Sequence, residues 1–184
     1  MRDYESFNKA SGGRLNKVSG ALLVHRFSVR QPEIFRVIKT VTAQGLTSLN
    51  QAALCELAQT VMDIEFDGVE GDFLEVGRGS RGASMVIEKA KYRARSFSVY
   101  DLSRGELETI SREGPLALAH VDCGEYESMK VLLERLSPRL VAGGHLIIDD
   151  YKTKEECQRA VDEYFRGKKG FQLVRKSRLH VIKN

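Results

Sequence analysis

Three glycines in the stretch GDFLEVGRGSRGAS (71–84) have the spacing of a nucleotide-binding turn. Gly77, Gly79 and Gly82 form the pattern Gly-x-Gly-x-x-Gly, in which a Cβ atom would keep a ligand away from the backbone. Asp101 follows Gly82 by 19 residues, at the predicted tip of the next strand, where a carboxylate can bind two ribose hydroxyls. Sites for NAD(P) and for S-adenosylmethionine share this spacing, which is a weak signal by itself.

Glu75 distinguishes between these two cofactors. It lies two residues before Gly77, near the end of the predicted strand. A carboxylate there would repel the pyrophosphate of a dinucleotide, and dinucleotide folds normally carry apolar residues at this place. S-adenosylmethionine has no phosphate, and its amino group and sulfonium are positive, so a carboxylate attracts it. Glu75 therefore favours S-adenosylmethionine, and the competing interpretation is a solvent-facing glutamate at a strand end.

Three aspartates are predicted to lie at the ends of two other strands. Asp122 ends one apolar run, and Asp149 and Asp150 end another. Because ligands of parallel α/β folds gather at the carboxyl ends of strands, the three carboxylates would converge and repel one another. Either one is protonated or a cation neutralises them, and Mg²⁺ prefers such oxygen ligands and could activate a bound hydroxyl. In the competing interpretation Asp150 faces solvent and caps the next helix.

The elements that would position these residues alternate between strands and helices. Apolar runs predict strands at residues 72–76, 96–100, 116–122, 145–150 (after a Gly143–Gly144 turn) and two within 171–183. Helical spacing predicts helices at residues 31–45, 47–64, 81–92, 126–140 and 154–167, with a short helix over 103–111. Pro32 suits a first helical turn, and Thr47 or Ser48 is the predicted cap of the second helix. This alternation predicts an α/β fold, with a parallel sheet, helices on both faces and a C-terminal antiparallel hairpin.

The composition is typical of a soluble globular protein. The chain has 184 residues, 42% of them apolar and 29% charged, and no apolar run is long enough to span a bilayer. The first residues lack the apolar core of a signal peptide, so we expect a cytoplasmic protein without a membrane partner. Three widely spaced cysteines fit neither a disulfide framework nor a metal site, so reduced thiols are expected.

The positive charge is concentrated near the N-terminus. The net charge is +4, and residues 1–45 hold eight Lys or Arg against three Asp or Glu. We therefore distinguish a basic extension at 1–45 from a main domain at 46–184. The extension is a solvated arm, an active-site lid or an oligomer contact. Nucleic-acid binding is not expected, because the segment lacks clustered basic residues interleaved with aromatics.

Three stretches carry a family resemblance: GVEGDFLEVGRGSRGAS, VDCGEYESMKVLLERLSPRLVAGGHLIIDDY and CQRAVDEYF. With the helix at 47–64 they cover residues 47–184, and they resemble the macrocin O-methyltransferases, S-adenosylmethionine-dependent enzymes that modify sugar hydroxyls in antibiotic biosynthesis. The resemblance implies a Rossmann-like class I methyltransferase fold, usually Mg²⁺-dependent. It also implies metal, cofactor-turn and ribose-binding roles, which fall here on Asp122, Asp149 and Asp150, on Glu75, Gly77 and Gly82, and on Asp101.

The sequence departs from the family pattern in three places. The family reads Asp-Gly-Asp-Leu-Tyr-Glu-Ser where this chain reads DCGEYES (122–128), so Gly124 replaces the aspartate thought to be the general base. Glu125 and His120 are the candidate substitutes. The family's Trp-Arg-Gly-Gly is here GSRG (79–82), without the aromatic residue.

The third departure is the short interval between Asp101 and Asp122, which holds 20 residues. One short crossover fits there, whereas a further strand and helix do not. We therefore expect a sheet with one strand fewer than usual and an uncovered edge on the adenine side. The N-terminal extension or a partner subunit could cover this edge, which is why we expect a homo-oligomer.

Three functions follow from these residues. The first is Mg²⁺-assisted O-methyl transfer from S-adenosylmethionine to a sugar or other hydroxyl of a small natural product. The second is a methyltransferase-like protein that has lost methyl transfer and serves as a binding subunit or uses its acidic site otherwise. The third, an NAD-dependent oxidoreductase, rests on the glycine spacing alone, and both Glu75 and the C-terminal hairpin count against it.

Overall fold

A computed structural model of the chain describes residues 15–79 and 81–184, which form two units. A helical unit comprises residues 15–67 and 81–94, and a sheet unit comprises residues 68–79 and 95–184. No helix in the described part is long and apolar enough to cross a membrane. The division into an extension at 1–45 and a domain at 46–184 stays a prediction, and residues 1–14 lie outside the described part.

Within the described residues, the helical unit contains four helices: α1 Leu15–Arg30, α2 Pro32–Ala43, α3 Gln51–Phe66 and α4 Gly82–Ala90. Pro32 begins α2, as its fixed φ angle predicts. Apolar residues at helical spacing on α2, α3 and α4 are fully buried, among them Ile38, Val61 and Val86. Their burial holds the unit together, because α2, α3 and α4 pack against one another.

One expectation about the helical unit is corrected. The predicted cap of α3 at Thr47 or Ser48 is wrong, because the side chain of Asn50 accepts the hydrogen bond from the Ala53 N–H at 2.9 Å. Asparagine caps a helix as well as serine does, so residue type alone could not choose among neighbouring candidates.

The sheet unit contains six strands and two helices: β1 Asp72–Gly77, β2 Phe97–Asp101, β3 Leu116–Val121, α5 Tyr126–Leu136, β4 Leu140–Ile148, α6 Glu155–Phe165, β5 Phe171–Arg175 and β6 Leu179–Lys183. The strand order is β2-β1-β3-β4-β6-β5, with β1 to β4 parallel and β6 antiparallel to both β4 and β5. Buried residues of α5 and α6 join those of the strands in one apolar cluster. This architecture confirms the predicted α/β class and the C-terminal hairpin.

The fourth strand begins earlier than its apolar run predicts. The predicted Gly143–Gly144 turn is wrong, because β4 runs through both glycines. The pairing between β3 and β4 shifts register there, from Leu116 opposite Leu140 to Leu118 opposite His145. A Cβ at position 144 would lie 2.9 Å from the Leu116 carbonyl oxygen, so the glycine permits a close approach within the sheet.

β2 is an edge strand of the sheet, as expected because the short interval between Asp101 and Asp122 has no room for a further strand and helix. In place of the predicted helix over 103–111, the chain forms two 3₁₀ turns, Leu102–Arg104 and Glu106–Thr109. Val99 in the middle of β2 is 51% exposed, although β-branched residues of strands are usually covered. Among the described strands β2 pairs with β1, and its other side carries no strand.

Candidate functional site

The register of the sheet brings most of the predicted site residues to the carboxyl ends of the parallel strands. Gly77 at the end of β1 is paired with Asp101 at the end of β2. The backbone N–H of Asp122 donates to the Val76 carbonyl, and that of Asp149 donates to the Val121 carbonyl. The carboxyl ends of β1 to β4 therefore lie side by side, at the place where parallel α/β folds bind ligands.

The first two glycines of the motif form a tight turn within the sheet unit. A Cβ on Gly77 would lie 3.6 Å from the Cβ of Asp122. Gly79 adopts a φ of +80°, which favours glycine, and a Cβ there would lie 3.1 Å from Oδ2 of Asp101. The absence of a Cβ on these glycines thus lets the backbone after β1 lie close to Asp101 and Asp122, and their predicted contact with a cofactor stays a prediction.

Gly82 belongs to the helical unit and has a packing role there. A Cβ on Gly82 would lie 2.7 Å from both the Leu46 carbonyl oxygen and the Cβ of Thr47. The Gly82 N–H donates to the Leu46 carbonyl at 2.8 Å, so this donor is not available to a phosphate or carboxylate. The third glycine of the motif is explained by close packing, and its predicted contact with the cofactor stays a prediction.

Glu75 lies inside β1 and does not face bulk solvent. Its side chain is 6% exposed, and its Oε1 lies 3.9 Å from Nδ1 of His120, its register partner on β3. Burial of a carboxylate is costly unless it finds a positive or hydrogen-bonding partner. The interpretation of Glu75 as a solvated strand-end residue therefore does not hold, whereas its predicted role in cofactor binding stays a prediction.

His120 connects the carboxylates of two strands. Its ring is 2% exposed, with Nε2 3.1 Å from Oδ2 of Asp149 and Nδ1 directed at Glu75. Burial opposes charge on the ring, but Asp149, Glu75 and Asp122 together raise the pKa of His120 to about 9. Both ring nitrogens lie beside carboxylates, and the base role of His120 stays a prediction.

The predicted metal ligands do not share the same surroundings. Asp149 is 7% exposed at its side chain, with Oδ2 beside His120 and Oδ1 3.5 Å from Nε of Arg178. Asp150 begins a 3₁₀ turn, and its Oδ1 accepts from the Thr153 hydroxyl at 2.9 Å. Burial and the negative charges of Asp149 and Asp150 raise the pKa of Asp122.

These surroundings do not fit a resident divalent ion. Mg²⁺ binds oxygen ligands, of which one or two are usually carboxylates, at ~2.0–2.1 Å in near-octahedral geometry. Both oxygens of Asp149 are directed at cationic groups, and one oxygen of Asp150 is bound by Thr153. Among the residues that the structure describes, no group of three or more His, Cys, Asp or Glu side chains could hold a metal ion.

The loop after β3 holds the second candidate base. Oε1 of Glu125 accepts from the Arg78 guanidinium at 2.6 Å, and Oε2 accepts from the Ser128 hydroxyl at 3.2 Å. The Glu125 side chain is 62% exposed, so solvent can reach it. A Cβ on Gly124 would lie 3.0 Å from both Oδ2 of Asp150 and Cγ of Lys154. The position of the family's aspartate is therefore filled by neighbouring side chains, and Glu125 is the acid exposed on this loop.

The predicted ribose acid is held by donors close to it in sequence. Oδ1 of Asp101 accepts from the backbone N–H of Ser103 at 2.9 Å and from its hydroxyl at 2.6 Å. Nε of Arg104 lies 3.4 Å from Oδ2. Asp101 thus has a fixed orientation at the tip of β2, and its binding to a ribose stays a prediction.

Two arginines that contact acids at the carboxyl ends of the strands were not predicted from the sequence as site residues. Arg78 lies between the first two glycines of the motif, so its place next to the predicted site was visible. Arg178 follows the bend after β5, and only the pairing of β6 with β4 brings it to Asp149. No spacing rule relates residue 178 to residue 149, so sequence patterns could not find this pair.

A mostly parallel sheet with a glycine turn after β1 and an acid at the tip of β2 defines the class as a Rossmann-like methyltransferase fold. The solved structure of the O-methyltransferase NovP has the same fold, with a TM-score of 0.63 and 20% identity over 75% of this chain and 81% of that one. The family model described as Macrocin-O-methyltransferase (TylF) matches residues 101–174, which confirms the resemblance predicted from the sequence.

Two curated proteins to which this chain is similar are O-methyltransferases. Demethyldecarbamoylnovobiocin O-methyltransferase of Streptomyces niveus is 29% identical over 116 residues, which is 58% of this chain and 44% of that protein. The 8-demethyl-8-(2,3-dimethoxy-alpha-L-rhamnosyl)-tetracenomycin-C 4'-O-methyltransferase of Streptomyces olivaceus is 47% identical over 57 residues, which is 31% of this chain and 21% of that protein. The chain therefore spans less than half the length of the curated relatives that it matches.

Proposed function

We propose that this chain transfers a methyl group from S-adenosylmethionine to a hydroxyl of a small natural product, with a sugar hydroxyl as the preferred acceptor. The observation that carries the proposal is the buried Glu75 behind a turn in which Gly77 is paired with Asp101. The match of residues 101–174 to the macrocin O-methyltransferase model supports it. The names of the relatives also support the proposal, because one relative is named for methylation of a rhamnosyl-bearing compound.

Residues of β1 and β2 fit the cofactor. When bound, S-adenosylmethionine supplies a methyl group to an acceptor oxygen, which leaves S-adenosylhomocysteine and the proton of the acceptor hydroxyl. The carboxylate of Glu75 attracts the positive groups of the cofactor, and the positive φ of Gly79 places the turn next to the Asp101 carboxylate. Asp101 would accept hydrogen bonds from the ribose hydroxyls, and its fixed carboxylate lowers the entropic cost of binding.

Glu125 is the proposed base that takes the proton of the acceptor hydroxyl. Its carboxylate oxygens are acceptors, and Arg78 and Ser128 hold them in place at the end of β3. Arg78 therefore positions this carboxylate, while the exposure of Glu125 leaves room for an acceptor to approach it. No step of the proposal passes through a metal ion, because the donors around Asp149 do not fit one.

The experiment is a calorimetric titration with S-adenosylmethionine, combined with a methyl-transfer assay on hydroxylated and glycosylated acceptors. Glu75→Gln removes the negative charge behind the turn, and we expect it to weaken cofactor binding by about tenfold. Glu125→Gln should leave binding unchanged and lower the transfer rate by ~10²–10⁴-fold. Glu127→Gln, an exposed acid on α5 paired with Lys130, is the matched control and should change neither quantity.

A second function, a binding subunit without methyl transfer, is supported by the exposed β2 edge and by Gly124 in place of the family's aspartate. Under this function the cofactor would bind only at millimolar concentration or not at all. The same open edge supports the expected homo-oligomer, which light scattering on the purified chain would detect. Tight cofactor binding unaffected by Glu75→Gln would contradict our interpretation of the turn.

A further inference from the structure

The charge opposite Asp149 is fixed by the pairing of two strands. In the antiparallel pairing of β4 with β6, Ile148 lies opposite Leu179. Asp149 directly follows this pair in β4 and Arg178 directly precedes it in β6, and Nε of Arg178 lies 3.5 Å from Oδ1 of Asp149. The pairing of the two strands therefore brings these opposite charges next to each other, where they stabilise each other.

The hairpin that carries Arg178 is tied to the end of β4. The Lys152 ammonium, in the 3₁₀ turn after Asp149, donates to the carbonyls of Lys176 and Ser177 in the bend between β5 and β6. Arg178 immediately follows these carbonyls, and its side chain is only 22% exposed. The bend therefore cannot move away from Asp149 without breaking bonds that Lys152 makes.

The second oxygen of Asp149 is also directed at a cationic group. His120 Nε2 lies 3.1 Å from Oδ2, in a ring that is 2% exposed. A metal ion bound directly to Asp149 would have to displace one of these groups, or stand within a few ångströms of two positive charges. Coulomb repulsion at such distances inside a protein is much stronger than in water.

We propose that Arg178 is a resident cation beside Asp149, and that it takes the place of the divalent ion that the family resemblance implies at this position. Asp149 is then an anchor for Arg178 and His120 and binds no metal. This charge pair lies at the carboxyl ends of the strands, as do the residues of the proposed methyl-transfer site. Its test measures metal binding in the absence of cofactor and acceptor, so the two proposals can fail separately.

The test is a calorimetric titration of the full chain with MgCl₂, using the wild type and three single variants. The wild type should show no saturable binding up to millimolar Mg²⁺, and Asp149→Asn should behave in the same way. Arg178→Gln keeps a hydrogen-bonding side chain without its charge and should gain Mg²⁺ affinity by at least about tenfold, because it frees Oδ1 of Asp149. Arg178→Lys keeps the charge and should remain like the wild type.

Two controls separate this gain from a general change in charge or from unfolding. Lys176→Gln removes one positive charge from the same bend and should not create Mg²⁺ binding. The double variant Arg178→Gln, Asp149→Asn should lose whatever binding Arg178→Gln gains, and circular dichroism shows whether each variant is folded. Submillimolar binding by the wild type that Asp149→Asn weakens would overturn the proposal, as would a folded Arg178→Gln that binds no Mg²⁺.

Discussion

The carboxyl ends of β1 and β2 (the β1–β2 end) and those of β3 and β4 (the β3–β4 end) hold their carboxylates in different ways. At the β1–β2 end, Asp101 is oriented by Ser103 and Arg104, which are two and three residues away in sequence. At the β3–β4 end, Asp149 is held by Arg178 and His120, which are both 29 residues away. Local turns orient the first carboxylate, whereas strand register orients the second. The two ends should therefore respond differently to substitution.

The largest effect is expected where the two ends are joined. His120→Leu removes the ring between Glu75 and Asp149 and leaves two buried carboxylates without that partner. Loss of one partner of a buried charged pair costs about 3–5 kcal/mol, so the free energy of unfolding should fall by that amount. Urea denaturation measures it, and His120→Gln, which retains a donor, should lose less. A loss below 1 kcal/mol in His120→Leu would show that the ring does not join the ends.

A smaller effect should follow from pH. The folded-state pKa of His120 is raised from 6.5 to about 9, so its stabilisation is full below the unfolded value and is lost as pH rises through 9. Each pKa unit corresponds to about 1.4 kcal/mol, so the free energy of unfolding should fall by a few kcal/mol over this range. Burial lowers the pKa of His145 to about 4, so His145 titrates below this window.

Denaturation at a series of pH values checks this expectation. The slope between neutral pH and pH 9 should disappear in His120→Gln, because no imidazole then faces Glu75, Asp149 and Asp122. An unchanged slope in the variant would assign the titration to another group.

The smallest effect is expected at the β1–β2 end. Ser103→Ala removes the hydroxyl bond to Oδ1 of Asp101 but leaves the backbone N–H bond at 2.9 Å. The expected change in the free energy of unfolding is about 0.5–1.5 kcal/mol, and the change in cofactor affinity should be less than about threefold. A loss as large as that of His120→Leu would mean that the hydroxyl, and not the backbone, orients Asp101.

The sequence was sufficient for the alternation of strands and helices from residue 31 onwards, apart from the helix over 103–111, and for placing the predicted site residues at the ends of strands. Apolar runs and helical spacing depend on local residue types, and the position of Asp101 after a strand follows from them. The α3 cap and the Gly143–Gly144 turn were predicted wrongly, because glycine and capping residues each serve more than one local structure.

Most of what the sequence did not reveal is at the β3–β4 end. The charge balance there depends on the pairing of β6 with β4, which brings Arg178 next to Asp149, and hydrophobic periodicity does not fix this pairing. The burial of Glu75 against His120 likewise depends on the register of β1 with β3. Three aspartates near two strand ends therefore indicated the place of the cluster but not the groups that neutralise it.

The bend between β5 and β6 has a consequence for the divergence of related chains. Because Arg178 is the last residue before β6, inserting one residue between Arg178 and Leu179 would put a different side chain opposite Asp149. Such an insertion could reverse the local electrostatic potential while every aspartate remained unchanged. The length of the bend between β5 and β6 thus determines which side chain lies next to Asp149, and therefore the charge at this position.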